Sequence, residues 1–187
     1  MEKFTSKKTQ QNKNDQTKTL YENKYMSLIE KGGWSYIKEP DQSVCIPILM
    51  ETNEIILRVE DIPSYRSRDN QQHHLTSISG TIEEKETPTE TIIRELEEEA
   101  GIRLNSNYKP ELMDSLYKNK SLSSKFNLYI LPIYQSDFIE VEAKGDGSKY
   151  EENSNSVKIN LKNIDRLFPS DLVTKYLLAM VKEFMNL

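Results

Sequence analysis

The chain has 187 residues, a formal net charge of -5 and a single cysteine. That length holds one ordinary domain plus an appendage, the acidic balance argues against gripping a nucleic-acid duplex, which takes a basic face, and a lone Cys45 excludes an intramolecular disulfide or a thiolate zinc cluster. No apolar run approaches the roughly 20 residues that cross a bilayer, and the opening MEKFTSKKTQQNKNDQTK lacks the apolar core of a secretory signal, so a reducing cytoplasm is the expected setting.

Residues 1–18 are mostly Lys, Gln, Asn and Thr with almost nothing to bury, which predicts a disordered basic and polar tail. From Thr19 the segment TLYENKYMSLIEKGGWSYIKEP alternates apolar and polar residues on both sides of Gly32-Gly33, the pattern of a β-hairpin extension over residues 19–38. The remaining residues, 39–187, are expected to form the main domain. SVCIPILM and EIILRVE read as two central strands joined by a turn at Glu51, Thr52 and Asn53, with Cys45 a buried, inert thiol. DIPSYRSRDNQQ is polar and reads as a loop, and HHLTSISG as a strand. His73 and His74 are adjacent, so in a strand they face opposite sides and cannot chelate one ion together. Further on, KFNLYILPIYQ and SVKINL read as strands flanking the glycine-bearing stretch EAKGDGSKYEENSN, and SDLVTKYLLAMVKEFMNL has the apolar spacing of a terminal helix that covers a sheet.

Between these strands lies GTIEEKETPTETIIRELEEEAGI, residues 80–102. Thr87 followed by Pro88 and Glu90 is a helix start with a capping box, and Gly101 is a stop. At about 100° per residue, Ile92, Ile93, Leu96 and Ala100 share one arc, and Glu95, Glu98 and Glu99 the neighbouring one. A solvated charged face is the bland reading of such a helix. Against it, like charges three or four apart repel, carboxylates near a helix C-terminus oppose the macrodipole, and Arg94 alone is close enough to compensate. A hard divalent cation such as Mg²⁺ or Mn²⁺ reverses that problem, because it wants several carboxylate oxygens.

The stretch resembles the Nudix box: Gly80, Glu86, Arg94, Glu95, Leu96, Glu98, Glu99, Gly101 and Ile102 match every fixed position of that pattern. The resemblance implies a divalent-metal-dependent hydrolase of a nucleoside diphosphate linked to another group X, built as an α/β/α sandwich around a mixed β-sheet. It further implies that Glu95, Glu98 and Glu99 hold Mg²⁺ or Mn²⁺, that Glu86 and Arg94 orient them, and that a backbone carbonyl at Ser79 or Gly80 completes the shell. The resemblance also implies a catalytic base in the box or on the loop of residues 145–156, where Glu151 and Glu152 are candidates for the base or for an additional metal ligand; a solvated turn is the alternative for that loop.

For X, the hairpin resembles the extra β element of the ADP-ribose pyrophosphatase branch, which pairs subunits and offers aromatic residues to adenine. Trp34 and Tyr36 are then substrate-binding candidates, against the reading that they fill the packed face of the hairpin. Tyr65, Arg66 and Arg68 are candidates to meet the diphosphate or terminal ribose, against ordinary surface residues. The expectation is hydrolysis of ADP-ribose to AMP and ribose 5-phosphate by a homodimer. A dinucleoside polyphosphate, nucleotide-sugar or RNA-cap hydrolase is the alternative, or a non-catalytic Nudix-fold regulator. LTSISG at residues 75–80 departs from the Glu-Leu-Pro-Ala-Gly common in that branch.

Overall fold

The computed structural model of the protein describes residues 16–69, 71, 73–145 and 154–187. The chain divides into two compact units, Met1–Pro40 with Tyr117–Ser124, and Asp41–Leu116 with Lys125–Leu187.

In the first unit the expected hairpin acquires a third strand. β1 (Thr17–Glu22), β2 (Ser27–Lys31) and β3 (Trp34–Lys38) form an antiparallel meander. Most of the tail expected over residues 1–18 lies outside the described residues, but Thr17 and Lys18 belong to β1. Lys31 pairs with Trp34, and the two residues between them, Gly32 and Gly33, have φ of 59° and 80°. Such a two-residue turn matches the twist of the strands and favours glycine at both positions. The β1–β2 turn is closed by Asn23, whose Oδ1 accepts hydrogen bonds from the Tyr25 and Met26 amides. Tyr117–Ser124 joins this unit through main-chain bonds of Ile37 to Ser121 and Ser123, and through an ion pair of 2.8 Å between Lys118 Nζ and Glu39 Oε1.

The second unit is a mixed sheet with apolar side chains on both faces. Its strands are β4 (Gln42–Leu49), β5 (Glu54–Glu60), β6 (His74–Thr76), β7 (Ile78–Thr81), β9 (Asp114–Tyr117), β10 (Lys125–Ile133) and β12 (Asn155–Asn160), with the path β12-β5-β4-β10-β9. β6 pairs with β5 and β7 with β4. β4 and β10 run parallel, while the β4–β5 and β5–β12 pairs are antiparallel. A small separate ladder joins β8 (Ile102–Leu104) to β11 (Phe138–Glu140).

The helices are α1 (Pro63–Asp69), α2 (Pro88–Ala100) and α3 (Leu172–Met185). Alternation along the strands sends Val44, Ile46, Ile48, Ile55, Leu57, Leu128 and Ile130 toward Leu177, Leu178 and Val181 of α3. The intervening Cys45, Leu49, Ile56, Tyr129, Leu131 and Ile133 pack instead with Ile92 and Leu96 of α2. A period of two with both faces buried is what a sheet between two helical layers demands, so the α/β/α sandwich is realised. No helix among the described residues is long and apolar enough to cross a membrane.

Two local expectations differ from the fold. The loop expected over residues 61–72 contains α1, whose seven residues carry no apolar periodicity to reveal it. β8, β9 and β11 are three or four residues long, below the length at which alternation can be recognised.

Candidate functional site

α2 begins and ends where its local chemistry dictates. Thr87 is the N-cap, its side chain accepting from the Glu90 amide while the Glu90 carboxylate accepts from the Thr87 amide. Gly101 closes the helix at φ 64°, a left-handed conformation that glycine adopts without a Cβ penalty. The face it buries is rotated from the expected one. Thr91, Ile92, Glu95, Leu96 and Glu99 are buried, whereas Ile93 is 38% exposed. Two carboxylates have thus been drawn inward at the expense of an isoleucine.

Arg94 sits at the centre of this acidic surface. Its Nε donates to Glu86 Oε1 at 3.0 Å and its Nη2 to Glu86 Oε2 at 3.1 Å, a bidentate pair. Nη2 also donates to the Thr81 carbonyl, and Nη1 to Glu95 Oε1 at 2.6 Å and Glu98 Oε2 at 3.0 Å. All five N–H donors of a guanidinium are therefore engaged. Held first by Arg94 and then by the Thr91 hydroxyl and the Glu83 amide, the Glu86 carboxyl is lowered to about 2. The acidic charge in turn raises the pKa of Arg94, Glu86 contributing most. Glu97 is separated from the cluster by a fork from Arg103, with contacts of 2.9 and 2.7 Å.

Glu99 is held from the sheet side. Its Oε2 accepts from the Ser79 amide at 3.2 Å, and its Oε1 lies 3.4 Å from Nη2 of Arg58. Arg58 is itself buried, on the face of β5 that also carries Ile56. Burial, reinforced by Glu95 and Glu60 and opposed by Arg58, pushes the Glu99 carboxyl up to about 8. Gly80 completes the floor: a Cβ there would fall 1.7 Å from Glu95 Oε1. Only glycine leaves room for that carboxylate.

Five carboxylates, those of Glu60, Glu86, Glu95, Glu98 and Glu99, share this region with two guanidinium groups, Arg58 and Arg94. Among the described residues no three acidic, His or Cys side chains already converge as a metal-binding group; Arg94 takes up oxygens of Glu95 and Glu98 instead. The donor set nevertheless fits a hard divalent cation, which favours carboxylate oxygen.

The other candidates are dispersed. Tyr65, Arg66 and Arg68 lie on α1, where Tyr65 packs edge-on against His74 and Arg66 pairs with Asp61 at 2.6 Å. His74 is buried, its ring nitrogens in contact with Ser170 Oγ and the Gln71 carbonyl, whereas His73 is exposed. In the first unit Trp34 is 58% exposed, so it does not fill a packed face, and Tyr36 is partly buried. Glu151 and Glu152 lie outside the described residues. Arg58 was missing from the sequence expectation, although a single charge inside the apolar run EIILRVE was a signal for it.

The family model described as the NUDIX domain matches residues 39–149. Among solved structures, one described as the crystal structure of ADP compounds hydrolase superposes with a TM-score of 0.67 at 17% identity, covering 97% of each chain. No curated protein matches the chain.

Proposed function

Since the chain belongs to the NUDIX domain family and is a Nudix pyrophosphohydrolase, we propose that it hydrolyses ADP-ribose to AMP and ribose 5-phosphate with Mg²⁺ or Mn²⁺. The family acts on nucleoside diphosphate compounds and generally needs a divalent cation. The observation that best supports this site is the gathering of Glu95 and Glu98 on Arg94, with Glu99 buried nearby and Gly80 leaving space for Glu95.

Glu95, Glu98 and Glu99 would hold the cation. When bound, such a cation neutralises the diphosphate, acidifies a coordinated water and stabilises the leaving oxygen. The residues around it contribute orientation. Glu86 fixes Arg94 from one side, and Arg94 fixes the carboxylates of Glu95 and Glu98 from the other. Water attacks one phosphorus, the phosphoanhydride P–O bond breaks, and the proton of the attacking water passes to a carboxylate. Glu151, Glu152 and the box glutamates are the candidates for that base.

The choice of X draws on the structural neighbour, a hydrolase of ADP compounds, and on residues of the N-terminal unit. Trp34, which is exposed, is the first candidate for stacking on adenine, with Tyr36 as a second. The Arg66 and Arg68 guanidinium groups suit phosphate. A domain boundary near residue 39, a homodimer and a cytoplasmic setting belong to the same proposal. Leu20, Tyr21, Tyr25, Met26 and Trp34 are exposed in the three-stranded unit, an apolar surface that pairing would cover. Light scattering at micromolar concentration should give twice the chain mass; a monomer removes the dimer.

A product-resolved screen of nucleoside diphosphate compounds tests the substrate. ADP-ribose should yield AMP and ribose 5-phosphate in the presence of Mg²⁺ or Mn²⁺. A kcat/KM higher by more than ~100-fold for capped RNA or a dinucleoside polyphosphate, equivalent to about 2.7 kcal/mol of transition-state binding, would overturn the choice of X and leave the metal chemistry in place.

A further inference from the structure

Arg58 lies outside the acidic helix and its flanking loops, in the middle of a strand whose neighbours Ile55, Ile56 and Leu57 are fully or nearly fully buried. It is 4% exposed, and a buried cation costs free energy unless its contacts compensate. Those contacts are specific. Nη1 donates to the Glu99 main-chain carbonyl at 3.3 Å, and Nη2 lies 3.4 Å from the Glu99 carboxylate. On the other side Nε reaches Glu60 Oε1 at 3.5 Å, and the second oxygen of Glu60 accepts from the Thr76 hydroxyl at 2.8 Å.

Glu99 is consequently gripped at both its main chain and its side chain. Ser156 Oγ donates to the same carbonyl at 2.8 Å, and the Ser79 amide holds the second carboxylate oxygen. Ordinary helix C-termini leave their last carbonyls to solvent or to a cap. Here three strands, β5, β7 and β12, reach the last turn of α2 and converge on one glutamate. The Gly101 cap serves the Glu97 and Leu96 carbonyls, so the Glu99 carbonyl is held by Arg58 and Ser156 and its carboxylate by Arg58 and Ser79; among the described residues Arg58 is the one that grips both.

We infer that Arg58 is a positioning residue for the proposed cation site, aiming the Glu99 carboxylate and anchoring the last turn of α2 so that its oxygens are presented to the cation together with those of Glu95 and Glu98. The inference rests on the metal-site reading above. Glu60 and Thr76 hold Arg58 in turn, so the chain of contacts runs from the sheet to the site: Thr76, Glu60, Arg58, Glu99.

The experiment measures Mn²⁺ binding directly, by the loss of free Mn²⁺ signal in electron paramagnetic resonance, on the full chain without substrate. Arg58→Met should raise the Mn²⁺ Kd by ~10-fold or more, as removal of an outer-sphere partner of a metal ligand commonly does. In steady-state assays at saturating Mn²⁺ it should lower kcat while leaving KM for the nucleotide within about twofold. Arg58→Lys keeps the charge but cannot span both the carbonyl and the carboxylate, so its Kd should fall between wild type and Arg58→Met. A purely structural role predicts instead a lower Tm with unchanged Kd for the folded fraction.

Wild-type Kd in Arg58→Met, or in Arg58→Lys should the first variant fail to fold, overturns the inference. Glu99→Gln separates the two levels. Weakened Mn²⁺ binding in Glu99→Gln with none in the Arg58 variants sinks the positioning role alone, whereas unchanged binding in Glu99→Gln sinks the metal assignment of Glu99 and this inference with it.

Discussion

Gly80 and Glu95 occupy the same small volume: a methyl group on Gly80 would stand 1.7 Å from Glu95 Oε1 and 2.5 Å from its Cγ. The Cγ, Cδ and Oε1 atoms of Glu95 thus lie against the bare backbone of Gly80 in β7. The obstacle is a flexible side chain, so Gly80→Ala is expected to displace Glu95 at little cost in stability, on the order of 1 kcal/mol. Turnover should nevertheless fall by ~10-fold or more. Thermal unfolding and steady-state kinetics on one preparation check it, and a Gly80→Ala protein with wild-type kcat would separate Glu95 from the chemistry.

Gly101 offers the opposite contrast. A Cβ there would meet the Val141 carbonyl oxygen at 2.5 Å, and the residue sits at φ 64°. Backbone cannot retreat as a side chain can, and a left-handed conformation is strained for alanine. Gly101→Ala should lose ~1–3 kcal/mol, which at about 2–4 °C per kcal/mol for a chain of this size is several degrees of Tm. Calorimetry decides; an unchanged Tm would mean that the α2 terminus relaxes freely.

Activity is expected to vanish in excess chelator and to return on addition of Mg²⁺ or Mn²⁺. Glu98 keeps 33% of its side chain exposed, so Glu98→Gln removes a charge from the site without opening the core. Turnover should drop by at least ~100-fold while the circular dichroism spectrum stays as in wild type. Full turnover in chelator would remove the cation from the reaction altogether.

Glu99 carries a pH signature of the metal-free protein. Its carboxyl is raised from 4.5 to about 8 in the fold, chiefly by burial. The native state then binds more protons than the unfolded state between those values, so stability falls as pH rises from 4.5 toward 8, at up to ~1.4 kcal/mol per pH unit. Below 4.5 both states are protonated and this contribution is flat. Glu86, lowered to about 2 by Arg94, has the opposite sign: its stabilisation is present above 4.5 and lost as pH falls toward 2. Thermal scans in chelator from pH 5 to 8 should show a Tm decline that Glu99→Gln abolishes and that Mg²⁺ reduces. A flat profile in wild type would show that Glu99 is already ionised in the apo fold.

What could be read in the sequence was what short-range rules determine. Thr87, Pro88, Glu90 and Gly101 announce the two ends of α2 through contacts within a few residues, and the near-continuous apolar runs of β4 and β10 announce central strands buried on both faces. The burial of Glu95 and Glu99 in place of Ile93 was not legible, because hydrophobic periodicity assigns isoleucine to the core and glutamate to solvent. It takes Arg58, 41 positions away in sequence, to make a buried Glu99 tolerable, and that pairing exists only once β5 and α2 belong to one fold. Likewise Arg94 was expected to compensate the acidic helix alone, but Arg58 and Arg103 both arrive to share the task.

The parallel register of β4 and β10 has a consequence for how the site comes into being. Gln42 pairs with Phe126 and Leu49 with Ile133, so the two central strands meet across 84 positions, and α2 lies within the chain that this pairing closes. Closing so long a loop is paid in entropy before any contact rewards it, which slows folding relative to helical bundles of similar size. The capped helix can flicker into existence early, since its signals are local, and β5 and β7, which hold Glu99 through Arg58 and Ser79, pair with the nearby β4; the contact from Ser156 of β12 comes from the far end of the chain. The full set of contacts on Glu99 can therefore close only after β12 has been made, well after the acidic helix itself has been synthesised.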